Sequence, residues 1–221
     1  MDKSKILAEG LNKIRQWVKN QEYRTIQVSK GDFVIKQHTQ VSEVYWADNA
    51  QFSVLHTAEN GKTLSLGDYH LADNFFGEME FFSDGPSPFS VVATSDVELI
   101  AIPMDKFAEL LLQDGHIAFW MNHRMSNIYL NTMSIAIERS LYPLKYNIIK
   151  DMVDRHTCNE KSQGHSYMYQ EAQRFGCTER AYTRIIRELI DEGLVEKESD
   201  KSGVVPVNLD ALTQSLEKYY Q

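Results

Sequence analysis

Hydrophobic positions change their period twice along the chain. From Ile6 to Val18 they recur at helical spacing (Ile6, Leu7, Leu11, Ile14, Trp17, Val18), which predicts an opening amphipathic helix. From about Thr25 to Pro103 short β-rich runs follow: Phe33 to Lys36, Val44 to Ala47, Phe52 to His56, Thr63 to Leu66, Phe89 to Thr94 and Val97 to Ile102. Turn-forming clusters separate them, at Lys30-Gly31-Asp32, Asp48-Asn49-Ala50, Glu59-Asn60-Gly61 and Leu66-Gly67-Asp68. Short strands at such spacing predict a sandwich or barrel, and Asn60-Gly61 predicts a hairpin tip.

The period becomes helical again at Met104, with Asp105 as the expected N-cap of a helix to Leu112. A long helix is expected from Gly115 to about Ser140. Met121, Met125, Ile128, Thr132 and Ile135 lie on it at alternating spacings of four and three, the seam of a parallel helix pair. Phe119, Tyr129, Met133 and Ile137 form a second apolar side, so the helix calls for two partners: its own β-domain and the same helix of a second subunit. A single buried core helix is the alternative. Pro143 suits the first turn of a helix from Leu144 to Arg155, which leaves Leu141-Tyr142 as a hinge.

Residues Tyr169 to Val195 carry the clearest functional pattern. A short helix, a turn at Gly176 and a second helix capped by Thr178 predict a helix-turn-helix. Ala181, Ile185, Ile186, Leu189 and Ile190 make the inner face of the second helix; Glu179, Arg180, Thr183, Arg184 and Arg187 make the outer one. Glu192-Gly193 ends it, and Asp200 to Gly203 turns into Val204 to Val207 as the hairpin of a wing. A helix N-terminus attracts phosphate, and arginine reads guanine O6 and N7 bidentately. The expected roles are Arg180 and Arg184 on base edges, Glu179 on cytosine N4, and Thr178 and Arg187 on phosphate, with Thr183 on the same face. The alternative is an αα-hairpin with a solvated charged face.

Total charge opposes that reading, because the 221 residues carry a net charge of -8. The acidity is unevenly placed. Residues 1–138 hold 11 Lys and Arg against 18 Asp and Glu, whereas residues 139–221 hold 12 against 13. From Thr178 to Arg187 three arginines face one glutamate, and the local field decides whether a phosphate backbone is attracted. Cys158 and Cys177 build no disulfide framework and point to a reducing compartment. No apolar run long enough to span a membrane is present, and no signal-peptide core precedes the first helix. A cytoplasmic protein without membrane partners is expected.

The segment Asn74-Phe75-Phe76-Gly77-Glu78-Met79-Glu80-Phe81-Phe82, read with Val91-Val92-Ala93 and with Gly176-Cys177-Thr178 and Arg184, resembles the CRP/FNR superfamily of bacterial transcription regulators. The resemblance implies an α+β chain with three parts. A cyclic-nucleotide-binding-like β-roll (double-stranded β-helix or jelly roll) would span residues 1–110, a dimerisation helix and hinge 111–142, and a winged helix-turn-helix 143–221. It also implies a homodimer on a near-palindromic DNA operator, RNA polymerase as a partner if the protein activates, and a candidate effector pocket at Gly77, Glu78, Ser87 and Ser90, with a structural role in the turn as the favoured alternative for Glu78.

Departures from the family pattern shape the expected control. Nucleotide-binding relatives place an arginine about ten residues after the Glu, whereas Glu78 to Ala93 contains no Arg or Lys. A phosphodiester would be poorly compensated there, so tight binding of cyclic AMP is not expected and the effector stays open. The Glu179-Arg180 order reverses that of well-known relatives, so their target sequence is not borrowed. No cofactor is expected. Two cysteines cannot ligate an iron-sulfur cluster, His156, Cys158 and His165 fit no common zinc spacing, and His116 or His123 alone is weak ground for haem. A metal-dependent β-roll enzyme would need converging ligands, and His38, His56 and His70 include no His-x-His pair. The expectation is a regulator, not an enzyme.

Overall fold

The computed structural model describes residues 2–157, 168–197 and 203–219, and they divide into two compact units: 1–56 with 67–132, and 57–66 with 133–221. In the first unit helix α1 (Lys3–Lys19) starts on Asp2, whose carboxylate accepts from the Ser4 and Lys5 amides. Strands β1 (Arg24–Val28) and β2 (Phe33–Ile35) lead to two long ones, β3 (Glu43–Thr57) and β4 (Thr63–Phe76). A short helix α2 (Glu78–Ser83), strands β5 (Ser90–Ala93) and β6 (Val97–Pro103), and helices α3 (Met104–Gln113) and α4 (Gly115–Leu141) follow.

The strands form one antiparallel sheet in the order β1-β6-β3-β5-β2, with β4 on β3. Two clusters fill it. Ile35, Ala47, Phe52, Phe76, Ala93 and Leu99 make one; the other joins Val44, Trp46, Phe75 and Ile102 of the sheet to Ile14, Phe107, Leu110, Ile117, Trp120 and Met121 of the helices.

Several expectations are corrected here. Asp48-Asn49-Ala50 and Leu66-Gly67-Asp68 do not end strands; they lie inside β3 and β4. Their polar groups pair across the hairpin, Ser53 donating to Asp68 and His70 Nε2 lying 2.9 Å from Asn49 Oδ1, so they form an outward-facing ladder. Asp105 is not the cap of α3 but lies in its first turn, behind Pro103. Met121 is 2% exposed in the β-domain core, which removes it from the expected dimer seam, and Met125 packs beside the same cluster. Within the expected helix-and-hinge segment 111–142, the first part of α4 packs in the first unit, and Met133 onward belongs to the second.

The crossing of α1 and α4 depends on Gly10. A Cβ there would overlap the His116 carbonyl oxygen and come within 2.9 Å of its carbon, both backbone atoms. Beside the crossing, Lys13 reaches Asp114 and Glu9, and this lysine together with the His116 amide holds the Asp114 carboxyl well below the usual range. We predict that Gly10→Ala destabilises the first unit by about 1 to 3 kcal/mol, because overpacking outweighs the ~1 kcal/mol gain in helix propensity. Trp17, Trp46 and Trp120 all belong to this unit, so urea unfolding followed by tryptophan fluorescence reads the loss. An unchanged midpoint would show that α1 shifts without cost.

The second unit holds helix α5 (Leu144–Thr157), helix α6 (Met168–Arg174), helix α7 (Glu179–Asp191), the two-stranded sheet of β7 (Val195–Lys197) and β8 (Val204–Pro206), and helix α8 (Leu209–Glu217). Helix α8, for which the sequence reading had no element, packs Leu212 and Leu216 with Tyr146 and Ile149 of α5. Contacts gather beside the expected hinge at Leu141-Tyr142. Asn147 Nδ2 donates to the Tyr142 and Pro143 carbonyls at 3.0 and 3.3 Å, and the Tyr142 and Tyr146 rings stack at 4.1 Å.

Candidate nucleic-acid interface and effector cleft

The turn between α6 and α7 is closed by amides of Gly176 and Cys177, donating to the Gln173 and Ala172 carbonyls. Gly176 has φ +60°, the left-handed region that glycine adopts without strain. Thr178 then caps α7, its hydroxyl accepting from the Ala181 amide at 3.2 Å. Tyr182, Ile185, Ile186 and Leu189 are buried, at positions one, four, five and eight of a helical stripe. Sequence reading missed Tyr182 as an inner residue and placed Ala181 there, which is half-buried. Burial pushes the Tyr182 hydroxyl well above its usual range.

On the opposite face Thr178, Glu179, Arg180, Arg184 and Arg187 are all exposed, and Thr183 is half-buried beside them. The nearest carboxylate to Arg184 in an ion pair is Glu188, at a loose 3.9 Å. Three guanidinium groups are therefore presented on one helix face. Strands β7 and β8 form the base of the wing, whose Asp200 to Ser202 turn lies outside the described residues.

Beneath this face lies a charge cluster that sequence reading did not find. Arg155 of α5 meets Asp151 and, at 2.9 Å, Glu171 of α6, while Arg174 meets Asp151 at 2.6 Å and Glu171 at 3.0 Å. All four side chains are largely buried. Burial raises the Asp151 carboxyl even against the arginines around it.

Along α4, Ile128 and Thr132 of the expected seam are exposed and Ile135 is half-buried. Tyr129, Leu130, Met133, Ile137 and Leu141 add exposed apolar side chains. An uncovered run of this kind on one helix is suited to a helical partner.

The expected effector residues fall into two groups. Gly77, with φ +91°, starts α2, and a Cβ there would press on Val41 and the Glu43 carbonyl at 3.0 and 3.1 Å. The hydroxyls of Ser87 and Ser90 are engaged internally, Ser87 Oγ donating to the Phe89 carbonyl and Ser90 Oγ accepting from the Gln37 amide. His38 donates its amide to the Ser87 carbonyl, and His56 Nδ1 lies 2.9 Å from the Pro88 carbonyl. His38 and His56 thus hold the loop, whereas His70 sits with Asn49. His156 bonds the Met152 carbonyl within its helix, and Cys158 and His165 lie outside the described residues.

Glu78 has a different environment. Burial pushes its carboxyl up to about 7; the neighbouring Glu80 adds to the rise, and Arg124 opposes it. Arg124 comes from α4, donates to Asn74 Oδ1 and lies 5.6 Å from the Trp120 ring. A cation therefore reaches the Glu78 region from a distant part of the chain, although the Glu78 to Ala93 span has none.

The raised carboxyl sets a pH dependence. A group whose folded pKa lies above its unfolded value of about 4.5 favours folding below that value and loses the benefit as pH rises through about 7. Glu78→Gln is expected to match the parent at pH 4 and to exceed it by about 1 to 3 kcal/mol at pH 8. Urea denaturation at both values checks this; parallel pH slopes for the two proteins would remove Glu78 as the cause.

Residues 25–114 match the family model described as "Cyclic nucleotide-binding domain". Regulatory protein YeiL of Escherichia coli O157:H7 is 24% identical over 170 residues, 75% of this chain and 74% of that protein. Lysophospholipase NTE1 of Phaeosphaeria nodorum is 27% identical over 117 residues, which is 53% of this chain but 7% of the enzyme. Among solved structures, the c-di-GMP responsive global regulator CLP of Xanthomonas campestris superposes with TM-score 0.70 at 17% identity, covering 89% of this chain and 99% of that one. The CRP/FNR-family transcriptional regulator TTHA1359 of Thermus thermophilus gives 0.60 at 20% identity, covering 88% and 98%.

Proposed function

We propose that this chain, which has the fold of the CRP/FNR transcription regulators with a cyclic nucleotide-binding domain over residues 25–114, is a homodimeric, sequence-specific DNA-binding regulator. The exposed Arg180, Arg184 and Arg187 on a capped helix carry the reading. The helix N-terminus and Thr178 suit phosphate, the arginines suit base edges, and the half-buried Thr183 borders the same surface. Two copies pairing through Ile128, Thr132, Ile135 and the apolar side chains around them would set two such helices about one duplex turn apart, on a near-palindromic operator. RNA polymerase is a partner in the activating case. The likeness to the lysophospholipase supports no enzyme activity here, since it covers a small part of that protein.

Control by a cyclic nucleotide is a second reading, favoured by Arg124. Its guanidinium beside Glu78 would offer an anionic effector the cation missing from residues 78–93. DNA selection with the purified protein, followed by titration of the best site with and without cyclic AMP at fixed salt, tests both readings. A palindromic site bound equally without nucleotide supports a regulator independent of cyclic AMP, and a site bound only with it supports the Arg124 reading. Failure to select any site overturns the DNA-binding assignment.

A further inference from the structure

The side chain at the turn of the helix-turn-helix is held by a residue from outside the motif. Phe175 is half-buried against the core of the second unit, and its ring stacks on Tyr182, the buried aromatic of α7, at 6.0 Å and 20°. Two guanidinium groups flank the ring: Arg174 at 5.8 Å, and Arg139, from the last turn of α4, at 5.7 Å. Arg174 is fixed by Asp151 and Glu171. Arg139 also acts on the Asp151 carboxyl, where it lowers the pKa that burial raises. It thus lies over the ring that supports α7 and acts electrostatically on the acid that ties α5 to α6.

We infer that Arg139, acting through Phe175 and Tyr182, is a positioning residue that fixes the angle between the end of α4 and the DNA-facing helix α7. Resting on the homodimer proposed above, this contact makes Arg139 a determinant of half-site spacing, although it touches no base. The last turns of α4 carry Met133, Ile137 and Leu141 on their exposed surface, so the angle between this segment and α7 sets how far apart two copies of α7 stand. Near Phe175, a Cβ added at Gly176 would lie 3.3 Å from Leu64 Cδ1 of the 57–66 hairpin tip.

The test is binding of full-length protein to a series of duplexes carrying the selected half-sites at varied separations. The parent should prefer one separation. Arg139→Ala should flatten that preference by about two- to fivefold per subunit, the equivalent of one cation-π contact of about 0.5 to 1 kcal/mol. Base preference within each half-site should stay unchanged, and Arg139→Lys, which keeps a cation over the ring, should restore part of the spacing preference. An unaltered spacing profile in Arg139→Ala overturns the inference, as does uniform weakening at every separation. If the parent itself selects no DNA, the regulator reading fails instead, and the two failures are distinct.

Discussion

Replacing Glu171 by Ala is expected to cost the second unit about 3 to 5 kcal/mol, because it removes one partner from a buried ionic cluster and leaves the others. Glu171 Oε2 accepts from Arg155 at 2.9 Å and from Arg174 at 3.0 Å. Without it, two largely buried guanidinium groups lose a carboxylate and keep their pairing with Asp151. Glu171→Gln, which retains acceptor capacity but not the charge, should lose less. The readout is selective because all three tryptophans lie in the first unit. In urea, the far-ultraviolet dichroism transition should split toward lower denaturant while the tryptophan fluorescence midpoint stays in place. Coincident, unshifted transitions would show that the cluster contributes nothing, and a joint shift would show that it supports both units.

That cluster also marks where sequence reading stops. Patterns carried by one element were legible: the stripe of α7, the cap at Thr178, the turn glycine at Gly176 and the length of α4 each follow from a local period or a local preference. The expected outer face of α7 agrees with the structure for Glu179, Arg180, Arg184 and Arg187. Contacts between elements left no such trace. Asp151 and Arg174 are 23 positions apart, and nothing in their neighbourhoods distinguishes them from surface charges.

Arg124 shows the same limit beside Glu78. Residues 78–93 contain no cation, yet one arrives from α4, a separate element 46 positions beyond Glu78. In β3 and β4 the error ran the other way. Asp48-Asn49 and Gly67-Asp68 have turn chemistry, but cross-strand partners satisfy Asn49 and Asp68 and keep the strands continuous. Met121 fits a heptad and a core equally well by spacing alone, and only the β-domain packed against α4 decides between them.

The second large effect concerns function directly. Changing Arg180 and Arg184 together to Ala should reduce affinity for the selected site by about 30-fold to 10⁴-fold, since each bidentate arginine-guanine contact is worth about 1 to 3 kcal/mol and separate positions add roughly. Both residues are exposed, and the only ion pair among the described contacts that either makes is the loose 3.9 Å one from Arg184 to Glu188. The fold should therefore hold within about 0.5 kcal/mol, as for ordinary surface substitutions. Under the proposed roles, binding to unrelated duplex should fall far less, because Thr178, Arg187 and the α7 N-terminus would still attract phosphate. Arg187→Ala is the matched control. In its proposed phosphate role, its loss should weaken all sequences alike and lower the salt slope by about one, without changing base preference. If the double variant instead weakens specific and unrelated duplex equally, Arg180 and Arg184 are phosphate contacts and the sequence is read elsewhere; if it weakens neither, α7 is not the DNA-facing helix.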